Sequence, residues 1–260
     1  EGQAALDRED YRRAFALLRE GVARAPSHVE GRMLLAQIYA GWRPDLATEL
    51  MVDGVDFGYE NPDYIRLLSS LLLAEKKDLQ MLSISEELLE RDLPEPVRHT
   101  ILVSRVQAAL FRGQYATVRD IFESTDLETT LDGLLLGTRL YQRTGRTDDA
   151  IGVLLSVINR FPDAELDPVY EQLVGLYKEQ EAYEEARTAA LELVIRNPME
   201  WRPRILLIDV LSASKRTERR DREIDSLLRQ HRGDEVAMTA LAQLSAGYGN
   251  VQASARLYEI

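Results

Sequence analysis

Five prolines frame this chain. Pro26, Pro62, Pro94, Pro162 and Pro198 are separated by 36, 32, 68 and 36 residues, and 68 is twice 34. A fixed period of about 20–50 residues restricts a chain to stacked repeat units, whose neighbours bury each other's apolar faces. The missing rung falls in "STDLETTLDG" (124–133), and Gly233, 35 residues beyond Pro198, marks the next one.

Inside each period apolar residues recur at i, i+3, i+4 and i+7, the spacing of one helix face. "LLAQIYAGW" (34–42) aligns Leu35, Ile38 and Tyr39, and "AIGVLLSVINRF" (150–161) aligns Ala150, Leu154, Val157 and Ile158. "YEQLVGLYKEQ" (170–180) does the same with Tyr170, Leu173, Val174 and Tyr177. No stretch alternates with a period of two and β-branched enrichment, so no sheet is expected. All nine prolines fit helix junctions. Pro44 and Pro168 are assigned to first helical turns, where a missing N–H costs nothing. Asp167, just before Pro168, is assigned as an N-cap. Turn signals at "GW" (41–42), "RGQ" (112–114), "TGRT" (144–147) and "GYGN" (247–250) divide the helices into pairs. The count is sixteen helices in eight pairs, the first of them a stub.

Two stretches carry the pattern at the side-chain level. "EDYRRAFALLREGVARAP" (9–26) and "EAYEEARTAALELVIRNP" (181–198) place Tyr11 and Tyr183, Ala14 and Ala186, and Pro26 and Pro198 at the same offsets. Paired helices must approach to about 8–10 Å, which a small residue at the crossing permits. A bulky one there overpacks at a cost of about 1–3 kcal/mol. Proline then ends the second helix and turns the chain into the next pair.

These residues resemble the tetratricopeptide repeat family. Its pattern is matched by Tyr11, Ala14, Leu18, Gly21 and Pro26, then by Leu35, Ala36, Tyr39 and Ala47. It recurs in Leu134, Tyr141, Gly145, Ala150, Leu154 and Pro162, and most fully in Tyr170, Leu173, Tyr177, Tyr183, Ala186, Ala190, Leu193 and Pro198. Gly249, Ser254 and Tyr258 close the last copy. Copies three, four and seven are degenerate, with Leu82, Val118 and Arg220 where the family has a small residue. The resemblance implies an all-α, right-handed solenoid of stacked antiparallel helix pairs, a superhelix of about eight repeats with partial terminal ones. The repeat frames are 1–28, 29–62, 63–94, 95–126, 127–162, 163–198, 199–233 and 234–260, one array over 1–260.

Family members bind protein or peptide partners in the concave groove lined by the first helix of each pair. That position corresponds to Met33 and Gln37 in the second copy, Val103 and Gln107 in the fourth, and Arg139, Gln142 and Arg143 in the fifth. Glu171 and Lys178 follow in the sixth, and Arg202 and Asp209 in the seventh. The variant that clamps chaperone C-termini needs Lys, Arg and Asn at such positions, which Met33, Gln37, Val103 and Gln107 do not supply. The remaining expectation is a mixed groove with a cationic middle at Arg139 and Arg143, suited to an acidic or extended peptide. The alternative is a regulatory or assembly arm of a larger enzyme or membrane complex. Both ends stop inside a repeat and the chain opens at Glu1 without Met, which fits a segment of a longer protein. The Arg-rich, Lys-poor basic content fits a bacterial source.

Charge bears on the partner. With 44 acidic against 32 basic residues the net charge is −12, which opposes attraction to phosphate backbones and disfavours a nucleic-acid partner. "KRTERRDREIDSLLRQHR" (215–232) is the one basic patch, with seven Lys or Arg against four Asp or Glu. It is expected to be an exposed second helix held by Arg–acid pairs at i, i+3 and i+4. No cysteine is present, and no Gly-rich phosphate loop. His28, His99 and His231 fall near separate repeat junctions, where exposed or capping roles are expected. The sequence therefore supports no catalytic residue, metal site or cofactor. "ILLIDVL" (205–211) is far shorter than the roughly 20 apolar residues that span a bilayer, so this segment is not expected to insert directly. Cytoplasmic location is the leading reading, with a periplasmic or membrane-anchored parent as the alternative. Trp42 and Trp201 are expected to pack against the next pair, and the open repeat ends offer a route to self-association.

Overall fold

The computed structural model describes residues 2–6, 8, 10–231 and 233–248. Arg232, Asn250 and the closing matches Gly249, Ser254 and Tyr258 lie outside them, as does most of the eighth repeat's second half. The described residues form sixteen α-helices and no strand. The chain is an all-α helical-repeat solenoid made of two compact units, Glu1–Arg146 and Thr147–Ile260.

Unit 1 runs α1 (Gly2–Leu6), α2 (Tyr11–Arg24), α3 (Val29–Ala40), α4 (Pro44–Val52), α5 (Val55–Gly58), α6 (Pro62–Ala74), α7 (Asp78–Leu89), α8 (Glu95–Phe111), α9 (Tyr115–Ser124) and α10 (Leu131–Arg143). Unit 2 runs α11 (Thr147–Arg160), α12 (Asp167–Glu179), α13 (Tyr183–Arg196), α14 (Trp201–Ala213), α15 (Thr217–Gln230) and α16 (Glu235–Gly247). The four-residue α5, between α4 and α6, is an addition to the helix-pair pattern.

One backbone device recurs where a first helix turns into its partner. Lys76, Gly113, Gly145, Glu181 and Lys215 all have φ between 57° and 72°, each two residues past the end of a helix. A left-handed residue there turns the next N–H back onto the helix's last carbonyls. Lys77 N–H donates to the Leu72 carbonyl, Gln114 to Ala109, Arg146 to Tyr141, Ala182 to Tyr177 and Arg216 to Leu211, all within 2.8–2.9 Å. Only Gly113 and Gly145 announce this in the sequence. The "GW" turn is built differently, with Arg43 N–H bonding the Tyr39 carbonyl at 2.7 Å and Pro44 opening α4.

The small-residue rule holds at Ala14, Ala47, Ala150 and Ala186, all fully buried three residues into a second helix. Buried Val118 takes that place in α9. In α7 the crossing residue is Met81, also fully buried, and not Leu82, which is half-exposed on the next position round the helix. Arg220 takes the place in α15, where only Leu227 is fully buried.

The missing proline rung is filled by a single 3-10 turn, Leu127–Thr129. Thr125 and Thr130 hydroxyls brace it, donating to the Ile121 and Leu127 carbonyls at 2.7 and 2.8 Å. Thr130 also caps α10 by accepting from the Gly133 N–H at 3.1 Å. Around α5, buried Arg32 donates to the Leu50 and Pro26 carbonyls at 2.6 and 2.8 Å. The fully buried Tyr64 hydroxyl donates to the Met51 carbonyl. Gly54 and Gly58 leave the space that these two long side chains fill.

Asp167 is not the N-cap of α12. It is the first helical residue, and its carboxylate accepts from Arg196 Nε at 3.1 Å and Asn197 Nδ2 at 2.6 Å, fastening the end of α13. The basic patch is an exposed second helix, but its partners differ from the expected spacing. Arg216 pairs with Glu184, Arg204 with Glu223 at 3.3 Å, and Arg220 with its neighbour Asp221 at 2.7 Å. Trp42 packs backward, edge-on to Phe15 of α2 with centroids 5.9 Å apart and 5.7 Å from Tyr39. Trp201 packs with Ile205, Ile224 and Leu228 against buried Ile208 and Leu227.

Candidate functional site

The C-terminal turns of three first helices, α6, α8 and α10, come together in unit 1 around a cleft of about 460 Å³. Apolar contacts come from Leu73 of α6 and from Leu110 and Phe111 of α8. Polar ones come from Gln107 of α8 and from Arg139, Gln142 and Arg143 of α10. Phe111 is 58% exposed, a large ring kept at the surface by its place on the last turn of its helix. Arg139 and Arg143 are exposed, one turn apart on one helix face, with no ion-pair partner among the described residues. Among the described residues no carboxylate lines the cleft. Arg143 also lies in the last turn of α10, where the helix dipole favours a cation. The arrangement offers two guanidinium forks beside an apolar wall, which suits a carboxylate-bearing chain with apolar side chains.

Four groove positions named from the sequence thus share one cleft: Gln107, Arg139, Gln142 and Arg143. Val103, one turn earlier in α8, packs inward against the Val106 and Leu136 cluster. Met33 packs against the Ala36 and Met51 cluster, and Gln37 is exposed beside it on α3. In unit 2, Lys178 and Asp209 pair with each other across α12 and α14. Asp209 Oδ1 also accepts from the Tyr248 hydroxyl at 2.7 Å. Burial, and then that carboxylate, push the Tyr248 phenol well above its ordinary pKa. Glu171 is exposed, and exposed Arg202 lies 5.6 Å from the centre of the Trp201 ring. Leu73, Leu110 and Phe111 were missed by the sequence reading, although Leu73 stands 34 residues, one period, before Gln107.

The histidines occupy three separate elements. His28 caps α3, its Nδ1 accepting from the Gly31 N–H at 2.9 Å. His99 Nε2 lies 3.4 Å from Asp132 Oδ2, joining α8 to α10. His231 follows α15, its N–H bonded to the Leu227 carbonyl. No helix of the described residues is long and apolar enough to cross a membrane.

No protein-family model and no curated protein matches the chain. Among solved structures, MamA MSR-1 C2 is similar over 63% of this chain and 94% of that chain, at 18% identity and a TM-score of 0.42. A tetratricopeptide repeat protein from Parabacteroides merdae is similar at 16% identity, over 94% of this chain and 96% of that chain, with a TM-score of 0.61. That likeness, with the buried alanines and the recurring left-handed turns, makes the fold of this chain a tetratricopeptide-repeat solenoid.

Proposed function

We propose that the chain is a non-catalytic protein-interaction scaffold whose unit 1 cleft holds an acidic, extended segment of a partner protein. The observation that carries this reading is the pair of unpartnered guanidinium groups, Arg139 and Arg143, beside Leu73, Leu110 and Phe111 in one concavity. Charge-assisted, forked hydrogen bonds to carboxylates supply orientation, and the exposed Phe111 ring supplies apolar contact. The overall charge of −12 repels acidic ligands at a distance, so a local cationic cleft is a selective feature on this surface.

Fluorescence anisotropy with a labelled peptide of alternating Glu and Leu tests this on the full chain. Arg139→Ala with Arg143→Ala should weaken binding about tenfold, as expected for two solvated charge-assisted contacts. Raising the salt concentration should weaken the unaltered protein more than the variant. Equal affinity of the two proteins contradicts the reading.

A further inference from the structure

Unit 2 carries a second cleft, of opposite charge and built on other helices. It measures about 360 Å³ and lies where α11, α12 and α13 meet. Leu155 and Ile158 line it from α11, Tyr170 and Tyr177 from α12, and Glu185 and Glu192 from α13. Here two second helices, α11 and α13, line the cleft together with the first helix α12, whereas the unit 1 cleft is lined by first helices alone.

The charges of this cleft divide cleanly. Glu184, at its edge, is neutralised by Arg187 at 3.2 Å and by Arg216. Glu185 and Glu192 have no such partner among the described residues, and both are exposed. Seven residues apart, they stand two helical turns, or about 10 Å, from each other on one face of α13. Between them lie Thr188, whose hydroxyl donates to the Glu184 carbonyl at 2.9 Å, and buried Ala189, and Leu155, 42% exposed, adds apolar surface from α11. The Tyr177 hydroxyl is pushed above its ordinary pKa by burial first and by the Glu185 charge second, so it stays a neutral donor at the cleft wall. Tyr170 already has one cation at its ring, with the Arg196 guanidinium 5.8 Å from its centroid.

We propose that this cleft docks a basic, amphipathic helical segment of a partner protein, with cationic side chains two turns apart over Glu185 and Glu192. Its apolar side chains would lie on Leu155 and Ile158, and a cationic stem would run along the Tyr177 ring. Charge complementarity selects the occupant: an acidic segment would meet two uncompensated carboxylates, and a neutral apolar one would desolvate them without a partner. This inference does not depend on the unit 1 cleft.

The test is calorimetric titration of the full chain with a synthetic 14-residue Leu-rich helix peptide carrying Lys at two positions seven apart. Two proteins are compared with the unaltered one. The first is Glu185→Gln with Glu192→Gln. The second is Glu86→Gln with Glu90→Gln, which changes the charge equally at two exposed positions, one in the last turn of α7 and one just past its end. The expected result is binding weakened about fivefold or more in the first and unchanged in the second. All proteins should have equal melting temperatures, since Gln keeps the shape of Glu. Equal weakening in both variants would show mere attraction to an acidic chain and overturn the proposal. So would tight binding of a Lys/Ser peptide lacking apolar residues. Light scattering completes the test: self-association that disappears in the Glu185→Gln, Glu192→Gln protein would assign the cleft to a second copy and overturn it as well. Arg139→Ala with Arg143→Ala should leave this binding untouched, so failure of one cleft is separable from failure of the other.

Discussion

Gly133 shows how closely one residue can be specified. A Cβ added there would lie 1.8 Å from the Leu127 carbonyl oxygen, a backbone atom that cannot swing aside. Four residues on, in the same helix, a Cβ at Gly137 would meet nothing within 4 Å. Gly133→Ala should therefore destabilise unit 1 by about 2–3 kcal/mol, because the 3-10 turn must move. Gly137→Ala should stabilise by about 0.5–1 kcal/mol through helix propensity and a less free unfolded chain. Urea denaturation of the two variants checks this, and similar midpoints for both would contradict it. The sequence does not separate these glycines. Both are spaced for one helix, and only the buried 3-10 turn at Leu127 makes one of them indispensable.

At the scale of elements, the helices are joined by polar links about one period apart. Asp78, the first residue of α7, accepts from Arg112 just past the end of α8 at 2.8 Å. Asp148 at the start of α11 accepts from Gln180 after α12 at 2.6 Å, and Glu184 at the start of α13 takes Arg216 after α14. Each acid complements the positive N-terminal end of its own helix while gripping the next repeat's turn. The Arg112 hydrogen bond holds the Asp78 carboxyl below its usual range. Because that shift is downward in the folded state, its stabilisation is present above the ordinary aspartate pKa. It is lost as pH falls through the folded value. Arg112→Met should be less stable than the unaltered protein at pH 7, and the gap should close in acid. Carbon-detected NMR titration should show Asp78 moving up toward its ordinary pKa in the variant. A gap independent of pH, or an unmoved Asp78, would contradict the link.

These elements were legible in the sequence to different depths. Period, helical spacing and buried alanines at 14, 150 and 186 could be read directly, since each is a side-chain requirement of helix crossing. The turns at Lys76, Glu181 and Lys215 could not, because a left-handed conformation imposed by the helix end left no glycine to mark it. Asp167 misled for a related reason: an acid before proline reads as a cap, yet here tertiary contacts with Arg196 and Asn197 claim the carboxylate. The basic helix misled in partner spacing: Arg216 reaches Glu184 of α13, Glu223 is taken by Arg204 of α14, and Arg220 pairs with adjacent Asp221 instead of an acid three or four residues away.

At the scale of the whole chain, a repeat solenoid builds surfaces from residues that the repeats do not share. The cleft at α6, α8 and α10 is half legible, since Gln107, Arg139, Gln142 and Arg143 follow from their place on first helices. Its apolar wall is not, because Leu73 lies in a degenerate copy and Phe111 sits beyond the pattern positions. Lys178 and Asp209 look in sequence like two recognition groups, and in the structure they satisfy each other. The central claim is that recognition of an acidic peptide resides in the unit 1 cleft. Amide chemical-shift mapping of the full chain with the Glu/Leu peptide tests it most directly. Perturbations should centre on Leu73, Gln107, Phe111, Arg139, Gln142 and Arg143 and vanish in Arg139→Gln, Arg143→Gln; perturbations that map elsewhere, or that persist in that variant, would contradict it.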